Sequence, residues 1–477
     1  MNTFDKTNDW LLQHSRTNPN GLAVITKLQK YTFASLNGLV ENAVKVLINS
    51  GIKSDDNCAL ILDNNLEFII SILSLWRIGA VPIPLNVRGT NNELEKQINF
   101  TDCKFVIIHK NLKNKFVFNK HKTIEIPFDV ANTQKEINYQ SNLDKDKISL
   151  MLFTSGSTDK PKTVVFTFRN FIYSAIQTIN LIEAKESDSW LASLPFYHIG
   201  GFMIFIRALM NGSPLIIPES LTQNDIVNSL TAFNPAVISF VPTQLLKIIN
   251  EGLIHNKNLK VVFLGGGPSE SNLIISAKEK GWPIIKVYGS TETCSMVTAL
   301  DLRNGIHKVN SAGKPFKENS IFINDKNNKG EIIIKGPSVA IGYYKNPDER
   351  LFNGTFYSND FGFIDEEGYL FIEGRIDDII ISGGENISTK EIENVLFENS
   401  NVKDVFVFGT KDKHWGQSVA CVVVLKDKKI TEESVKEYLK SKLAPYKIPK
   451  RIFFANEIPR NDLGKVRKDE LLKSLSL

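Results

Sequence analysis

The chain has 477 residues, of which 42% are hydrophobic and 23% are charged. A chain of this length exceeds one ordinary core, so we predict a globular protein of two or more domains. The net charge of +5 is distributed without a long basic block, which gives no reason to expect a nucleic-acid-binding surface.

Cysteine usage and hydropathy indicate the compartment. Cys58, Cys103, Cys294 and Cys421 are widely separated and form no C-x-x-C pair, as expected for free thiols in a reducing compartment. The polar N-terminus does not resemble a signal peptide, and the longest apolar stretch, residues 68–76, is too short to cross a bilayer. We therefore expect a cytoplasmic protein with no membrane span, and the sequence leaves a homo-oligomeric state open.

Short apolar runs alternate with amphipathic stretches through the first three quarters of the chain. The runs that predict strands are residues 59–62, 105–108, 150–154, 215–217, 236–240, 261–264 and 284–287. Helical patterns between them include residues 224–233 and 270–280. This alternation predicts α/β layers with largely parallel strands.

The pattern changes after Gly374. Strands are predicted at residues 369–372, 405–408, 419–425 and 451–454, and helices at 388–397 and 432–443. Ser388 followed by Glu391 is a capping-box pattern at the start of the first of these helices. We predict a large N-terminal α/β domain of layered sheets with helices, residues 1–374, and a small mobile α+β C-terminal domain, residues 375–477.

A segment rich in Ser and Thr follows the predicted strand 150–154. Its hydroxyls and backbone amides suit a phosphate, and Lys160 and Lys162 add positive charge. The second glycine of a Walker loop is missing, and a Ser/Thr-rich turn is the alternative. The candidate ATP ligands of this segment are Thr154, Ser155, Gly156, Ser157, Thr158 and Lys162.

Two further segments follow predicted strands. Gly265 and Gly266 close strand 261–264, where glycine permits close approach to a flat ligand such as adenine; a flexible turn is the alternative.

Strand 284–287 leads into Tyr288-Gly289-Ser290-Thr291-Glu292. An aromatic ring there suits stacking on adenine, hydroxyls suit phosphate or a carboxylate, and Glu292 suits Mg²⁺. A capped turn with a solvated glutamate is the alternative.

The order of these motifs, with residues 374–378 and 459–467, resembles the acyl-adenylate-forming superfamily of acyl-CoA ligases, luciferases and peptide-synthetase adenylation domains. The resemblance covers roughly residues 20–470. It implies that ATP and Mg²⁺ convert a carboxylic acid to an acyl-AMP, which CoA then attacks. The roles it implies are catalysis by Lys465, His198, Thr291 and Glu292; ATP binding by Tyr288, Asp360 and Arg375, with the two glycine positions 265 and 266; a hinge at Asp377; and a CoA tunnel at Gly383 and Gly384.

Four positions depart from the superfamily pattern. Asp159 and Thr163 stand where the phosphate segment has glycine, and Ser358 and Asn359 stand in the Thr-Gly-Asp element that ends here at Asp360. A negative charge at Asp159 would lie near the triphosphate. These departures favour a non-catalytic nucleotide- or acyl-binding protein as the alternative.

The acid is indicated by Arg207, which interrupts the apolar run 202–209. A buried charge is costly unless it is paired, so Arg207 either pairs with a structural carboxylate or recognises a second carboxylate on the substrate. The pattern from His198 to Gly212 is similar to that of o-succinylbenzoate–CoA ligases of menaquinone biosynthesis, whose acid has two carboxylates. The implied acyl-binding residues are His198, Arg207, Gly289 and Ser290. A ligase for another aryl or medium-chain acid, and an adenylation enzyme that loads a carrier protein, are the alternatives.

Overall fold

A computed structural model describes most of the chain. The described residues are 9–128, 144–154, 162–252, 257–267, 269–303, 306–325, 329–376, 380–382, 385–412, 414–426, 430–460 and 466–475.

The described residues form twelve α-helices. They are α1 (Trp10–Thr17), α2 (Phe33–Asn49), α3 (Leu66–Ile78), α4 (Asn91–Phe100), α5 (Phe168–Leu181), α6 (Ile199–Asn211), α7 (Gln223–Phe233), α8 (Pro242–Asn250), α9 (Ser271–Glu279), α10 (Thr389–Phe397), α11 (Glu432–Lys440) and α12 (Lys468–Ser474).

The same part of the chain contains 26 strands. They are β1 (Leu22–Ile25), β2 (Lys30–Thr32), β3 (Asn57–Ile61), β4 (Val81–Pro84), β5 (Phe105–His109), β6 (Lys122–Ile126), β7 (Ile148–Phe153), β8 (Thr163–Thr167), β9 (Trp190–Leu191), β10 (Leu215–Ile216), β11 (Val237–Phe240), β12 (Val261–Leu264), β13 (Ile284–Ser290), β14 (Ser295–Asp301), β15 (Lys314–Pro315), β16 (Ser320–Asp325), β17 (Gly330–Lys335), β18 (Gly342–Tyr343), β19 (Leu351–Phe352), β20 (Thr355–Ile364), β21 (Leu370–Arg375), β22 (Ile380–Ser382), β23 (Glu385–Ile387), β24 (Val402–Asp412), β25 (Gly416–Leu425) and β26 (Arg451–Phe454).

The largest sheet has nine strands in the order β15-β14-β13-β12-β11-β9-β10-β1-β2. Neighbours from β13 to β1 are parallel, and the strands at both edges are antiparallel. Alternate residues of the central strands enter two different apolar clusters, one containing α3, α5 and α6 and the other containing α7, α8 and α9. Helices therefore cover both faces, which explains why these strands are continuous apolar runs in the sequence. The predicted α/β layering is confirmed.

Smaller sheets complete the large domain. The sheet β4-β3-β5-β6 is entirely parallel, whereas β18-β8-β7 and β16-β17-β20-β19, with β21 on β20, are antiparallel. The C-terminal part has its own sheet, β23-β22-β25-β24 with β26 beside β25, and its own apolar clusters. The small α+β domain is thus confirmed, while its boundary at residues 374 and 375 stays a prediction. None of the described helices combines the length and apolar character that a bilayer crossing requires.

Helix α6 begins and ends where the sequence indicates. His198 occupies the N-cap position, and Gly212 ends the helix with φ of 70° while its N–H donates to the carbonyls of Ala208 and Leu209. A methyl group added at Gly201 would lie 2.1 Å from the carbonyl oxygen of Pro195, so glycine lets the first turn pack against the preceding loop. This packing fixes the start of the helix that His198 caps and that contains Arg207.

We expect Gly201→Ala to destabilise the large domain by about 2 kcal/mol or more, because its methyl group would displace rigid backbone. Gly200→Ala is the matched control, since its methyl group would meet only Leu194 Cδ1 at 3.5 Å. That control should be neutral or should stabilise by up to about 1 kcal/mol, because alanine favours helix. Thermal unfolding of both variants tests the difference, and equal melting temperatures would contradict it.

Candidate active site

Tyr288 and Asp360 meet where β13 and β20 approach each other. The Tyr288 hydroxyl donates to Asp360 Oδ2 at 2.6 Å, and Arg375 Nη1 donates to Asp360 Oδ1 at 3.3 Å. The Asp360 amide is held by Ser358 Oγ at 3.0 Å, and Ser358 Oγ donates to the carbonyl of Ile332 at 2.7 Å. Three residues predicted to bind ATP thus form one hydrogen-bonded group.

The chemistry of this group suits a ribose. Burial raises the pKa of Tyr288 well above its ordinary value, and the adjacent Asp360 carboxylate raises it further, so the hydroxyl remains a donor. Each oxygen of an ionised carboxylate can accept a second hydrogen bond. An Asp360 carboxylate oriented by Tyr288 and Arg375 is therefore the kind of acceptor that ribose hydroxyls need.

The turn between β13 and β14 carries Thr291 and Glu292. A methyl group at Gly289 would lie 1.8 Å from the carbonyl oxygen of Ser295, so only glycine permits this close approach of the two strands. Inside the turn, Thr293 Oγ1 accepts the Ser290 amide at 2.8 Å and donates to the carbonyl of Ser295 at 2.8 Å. The sequence indicated glycine at position 289 for ligand contact, and the structure gives it a packing role.

Arg207 is buried on α6, with a relative exposure of 1%. Its Nη2 donates to Ser295 Oγ at 3.2 Å, and its Nε has no hydrogen-bond acceptor among the described residues. Burial lowers its pKa to about 10, which leaves the side chain cationic near neutral pH. Within the ranges that the structure describes, no Asp or Glu forms an ion pair with it. The structural ion pair considered above therefore has no partner in that part of the chain.

A second polar group lies on the hairpin beside Arg207. Ser290 Oγ is buried without a hydrogen-bond partner in the described structure, and Ser290 is the register partner of Ser295. Ser295 is therefore paired by register with Ser290 and by a hydrogen bond with Arg207, and both of these residues have unused hydrogen-bonding capacity among the described residues. His198, at the start of α6, is half-buried with its ring 4.7 Å from that of Tyr197. A rise of 1.5 Å per residue places Arg207 about 13 Å farther along the helix than His198.

Lys162 lies opposite Thr154, at the base of the predicted phosphate segment. The Thr154 amide donates to the Lys162 carbonyl at 3.0 Å. Lys162 Nζ lies 3.2 Å from Asp348 Oδ2 and 5.2 Å from the centre of the Tyr343 ring. The Tyr343 hydroxyl donates to Glu292 Oε1 at 2.8 Å. One tyrosine therefore brings together the lysine predicted to bind phosphate and the glutamate predicted to bind Mg²⁺.

Glycines 265 and 266 are explained by local packing. A methyl group at Gly265 would lie 2.7 Å from Val287 Cγ2, and Gly266 has φ of 82°, which favours glycine. Their predicted contact with adenine stays a prediction. Several other predicted site residues lie outside the described residues, namely Ser155, Gly156, Ser157, Thr158, Asp377, Gly383, Gly384 and Lys465.

Comparison with protein families gives two matches. Residues 11–344 match the family described as AMP-binding enzyme, and residues 391–465 match the AMP-binding enzyme C-terminal domain. The first match covers most of the chain.

The chain belongs to the AMP-binding enzyme family.

Individual AMP-binding enzymes resemble the whole chain. The 2-succinylbenzoate–CoA ligase of Geobacillus sp. (strain WCH70) is 33% identical, with 97% of this chain and 96% of that protein covered. The protein of that name from Bacillus subtilis (strain 168) is 30% identical, with 97% of each chain covered. The family predicted from the sequence motifs is confirmed.

Solved structures of the Bacillus subtilis o-succinylbenzoate CoA synthetase superpose on this structure. The complex with its acyl-adenylate intermediate OSB-AMP gives a TM-score of 0.90 at 30% identity, covering 97% of this chain and 98% of that chain. A double mutant of the same enzyme, bound to the product analogue OSB-NCoA, gives 0.75 at 29% identity with 98% of each chain covered. This structure is thus more similar overall to the acyl-adenylate complex.

One departure from the family pattern has a physical explanation. Asn359 has φ of 62°, a left-handed conformation that asparagine tolerates better than most residues. Its side-chain oxygen accepts from Arg350 Nη1 at 3.1 Å, and its amide donates to Glu331 Oε1 at 3.0 Å. Asparagine therefore preserves the turn that presents Asp360, and this departure does not by itself favour a non-catalytic protein.

Tyr343 and Asp348 were missed from the sequence. They come from a segment without a marked motif, and their partners Glu292 and Lys162 lie 51 and 186 residues away. A tyrosine three positions before the Asn346-Pro347 pair carries no signal that connects it to either motif.

Glu292 fits a magnesium ion that is held mainly by substrate phosphates. Its Oε1 accepts from Tyr343, and its Oε2 makes no hydrogen bond within the described part of the chain. The described residues contain no cluster of three or more potential metal ligands. Mg²⁺ commonly binds one or two carboxylates and completes its shell with phosphate oxygens and water, so a single carboxylate oxygen such as Oε2 suits it.

We expect Asp360→Asn to raise the dissociation constant for AMP by on the order of tenfold to a hundredfold, because a charged acceptor for the ribose hydroxyls is lost. Isothermal titration calorimetry with AMP measures the change. Asp365→Asn is the matched control, since Asp365 lies beyond the same strand and pairs with Lys308 at 2.7 Å. Unchanged AMP affinity in Asp360→Asn would remove Asp360 from the ribose site.

Proposed function

We propose that this protein is an AMP-forming carboxylate–CoA ligase that converts o-succinylbenzoate to o-succinylbenzoyl-CoA. The observation that carries the choice of acid is Arg207, a buried cation with no carboxylate partner among the described residues. Relatives of 30% to 33% identity that bear the name 2-succinylbenzoate–CoA ligase support the same acid. ATP, Mg²⁺ and CoA are the implied co-reactants.

The acid is held at two points. Its succinyl carboxylate reacts, with His198 near the start of α6, while its second carboxylate binds Arg207 and Ser290. A carboxylate placed there accepts from the unused Nε of Arg207 and from the orphaned Ser290 hydroxyl. Binding then compensates a buried charge that has no carboxylate partner among the described residues, which gives an acid with two carboxylates an advantage over one with a single carboxylate.

The first half-reaction forms the acyl-AMP. A carboxylate oxygen attacks the α-phosphorus of ATP, the bond from that phosphorus to the bridging oxygen breaks, and pyrophosphate leaves. Lys465 stabilises the negative charge that gathers on the carboxylate and phosphate oxygens, while Lys162 and Thr291 hold the phosphates. Mg²⁺ bound at Glu292 would neutralise charge on the triphosphate. Asp360, oriented by Tyr288 and Arg375, holds the ribose.

The second half-reaction forms the thioester. The sulfur of CoA attacks the acyl carbon, the bond between that carbon and the AMP oxygen breaks, and the thiol proton leaves. Rotation of the small domain about Asp377 withdraws Lys465 and opens a path for CoA past Gly383 and Gly384. The lower TM-score with the OSB-NCoA complex than with the OSB-AMP complex of one relative supports two arrangements of the domains. A cytoplasmic location and a homo-oligomeric state stay predictions.

Pyrophosphate release with ATP, Mg²⁺ and CoA tests the choice of acid. We expect o-succinylbenzoate to exceed benzoate, hexanoate and acetate by on the order of a hundredfold in kcat/KM, because two charge-assisted contacts are involved. A preference for a monocarboxylate would support the ligase activity but would contradict the choice of o-succinylbenzoate as the acid. Release that requires a carrier protein in place of CoA would identify a carrier-loading enzyme, and ATP binding without release for any acid would identify a non-catalytic binding protein.

Arg207→Leu separates a functional arginine from a structural one. We expect a melting temperature raised by a few degrees without substrate, because an uncompensated buried charge is removed. Activity should fall for o-succinylbenzoate and change little for benzoate. Arg207→Lys is the matched control, because it retains charge and loses the planar array of donors. Lower stability together with equal losses for both acids would indicate a structural role.

Lys465→Ala separates the two half-reactions. We expect pyrophosphate release to fall by on the order of a thousandfold, because transition-state charge loses its stabilising cation. Thioester formation from supplied o-succinylbenzoyl-AMP should be largely retained. Lys468→Ala, three positions further along the chain, is the control. Equal losses in both half-reactions would contradict this division of labour.

A further inference from the structure

Residues 340–344 connect the two motifs that are expected to handle the triphosphate. The Ala340 amide donates to the Glu292 carbonyl at 2.8 Å, which ties the segment to the turn after β13. The Ile341 amide donates to the Val165 carbonyl at 3.1 Å, and the Tyr344 amide donates to the Thr163 carbonyl at 2.8 Å, which tie the same segment to β8. The segment thus joins the base of the phosphate segment to the Glu292 turn through main-chain bonds.

Strand β18 places Tyr343 within this connection. It pairs antiparallel with β8, and Tyr343 is the register partner of Val164, two residues beyond Lys162. Residues before it are held in place by Asn170, whose Nδ2 donates to the carbonyls of Pro337 at 3.0 Å and Val339 at 2.7 Å. The position of Tyr343 is therefore fixed by backbone pairing and does not depend on its own side-chain contacts.

The Tyr343 side chain contacts two opposite charges through different parts of its structure. Its hydroxyl donates to Glu292 Oε1 at 2.8 Å, while its ring lies 5.2 Å from Lys162 Nζ. Burial and then the Glu292 charge raise the pKa of Tyr343, so the hydroxyl remains a donor at neutral pH. The face of an aromatic ring attracts a cation at this distance. Asp348 Oδ2, 3.2 Å from Lys162 Nζ, is a second contact of the ammonium.

We propose that Tyr343 is a positioning residue for the ATP–metal complex. Its hydroxyl orients Glu292 so that Oε2 faces the metal, and its ring holds the Lys162 ammonium at a fixed separation from that carboxylate. Without the tyrosine, Lys162 and Glu292 could form an ion pair with each other. Lys162 would then bind the phosphates less well, and Glu292 would bind the metal less well. The proposal rests on the proposed function, because it takes ATP and a divalent cation as the ligands.

The two parts of the tyrosine can be removed separately. Tyr343→Phe removes the bond to Glu292 and retains the ring beneath Lys162, whereas Tyr343→Leu removes both. Tyr344→Phe is the matched control, because that neighbouring hydroxyl donates to Asp102 at 2.9 Å, away from Glu292 and Lys162. Circular dichroism and thermal unfolding establish that each variant is folded before binding is compared.

Binding is measured with α,β-methylene-ATP as the nucleotide and Mn²⁺ as the metal ion. Electron paramagnetic resonance reports the concentration of free Mn²⁺, and bound Mn²⁺ is the remainder. We expect Tyr343→Phe to raise the dissociation constant for Mn²⁺ about tenfold in the presence of the nucleotide, since a bond to a charged ligand is lost. Calorimetric binding of the nucleotide in EDTA should be unchanged in that variant. In EDTA, Tyr343→Leu should raise the dissociation constant for the nucleotide about threefold relative to Tyr343→Phe, since the cation–π contact is also lost.

The outcomes distinguish failure of the proposed function from failure of the positioning role of Tyr343. Wild-type protein that binds neither the nucleotide nor Mn²⁺ would reject the proposed function itself. Wild-type binding together with unchanged Mn²⁺ affinity in Tyr343→Phe would reject only the positioning role. Equal weakening with and without the metal in Tyr343→Phe, or the same loss in Tyr344→Phe, would indicate a general structural role and would also reject it.

Discussion

Parallel pairing of β9, β11, β12 and β13 is the constraint on which the site depends. Parallel strands end at the same edge of a sheet, so the segments that follow them are brought together whatever their separation in sequence. Side chains reinforce this edge: Ser193 Oγ donates to the Ser239 carbonyl at 2.5 Å, and Gln244 Nε2 donates to the Ser193 carbonyl at 3.3 Å. His198 and Gly265 follow β9 and β12, and Tyr288 lies in the second half of β13, so the sheet places all three toward the same edge.

The protein treats two buried arginines differently. Arg77, with a side-chain exposure of 1%, pairs with Asp9 at 2.5 Å and also donates to Asn37 at 2.6 Å. Arg207 is as deeply buried, yet its described contacts include only the neutral hydroxyl of Ser295. Arg77 shows that this fold can supply a carboxylate to a buried cation. The contrast supports the proposed role of Arg207 in binding a ligand, since an uncompensated buried charge lowers the stability of the protein when that ligand is absent.

The sequence predicted elements whose signal is local. The apolar runs of the central strands, the limits of α6 set by His198 and Gly212, and the cap at Ser388, which accepts the Glu391 amide at 3.2 Å, could all be found from neighbouring residues. The group Tyr288–Asp360–Arg375 was assembled only through resemblance. Roles for individual residues stay predictions where no comparison tests them.

Long-range pairing explains what the sequence could not predict. Tyr343 lies on a two-residue strand whose position is set by hydrogen bonds to β8, about 180 residues earlier in the chain. The lack of a carboxylate partner for Arg207 among the described residues and the left-handed backbone of Asn359 are likewise properties of the folded chain. Propensity and periodicity carry no information about contacts of this range.

The proposed acid and nucleotide sites share the hairpin of β13 and β14, and their other residues stand on different supports. His198 caps α6 and Arg207 lies within it, whereas the proposed nucleotide site also depends on β20, β21 and the main-chain bonds of residues 340–344. In the proposed arrangement, substitutions around Arg207 on α6 would change which acid is accepted without altering the residues proposed to hold the ribose and the metal. With this separation, few substitutions on α6 would suffice for a related protein to accept a different acid. The residues proposed to activate the carboxylate would stay the same.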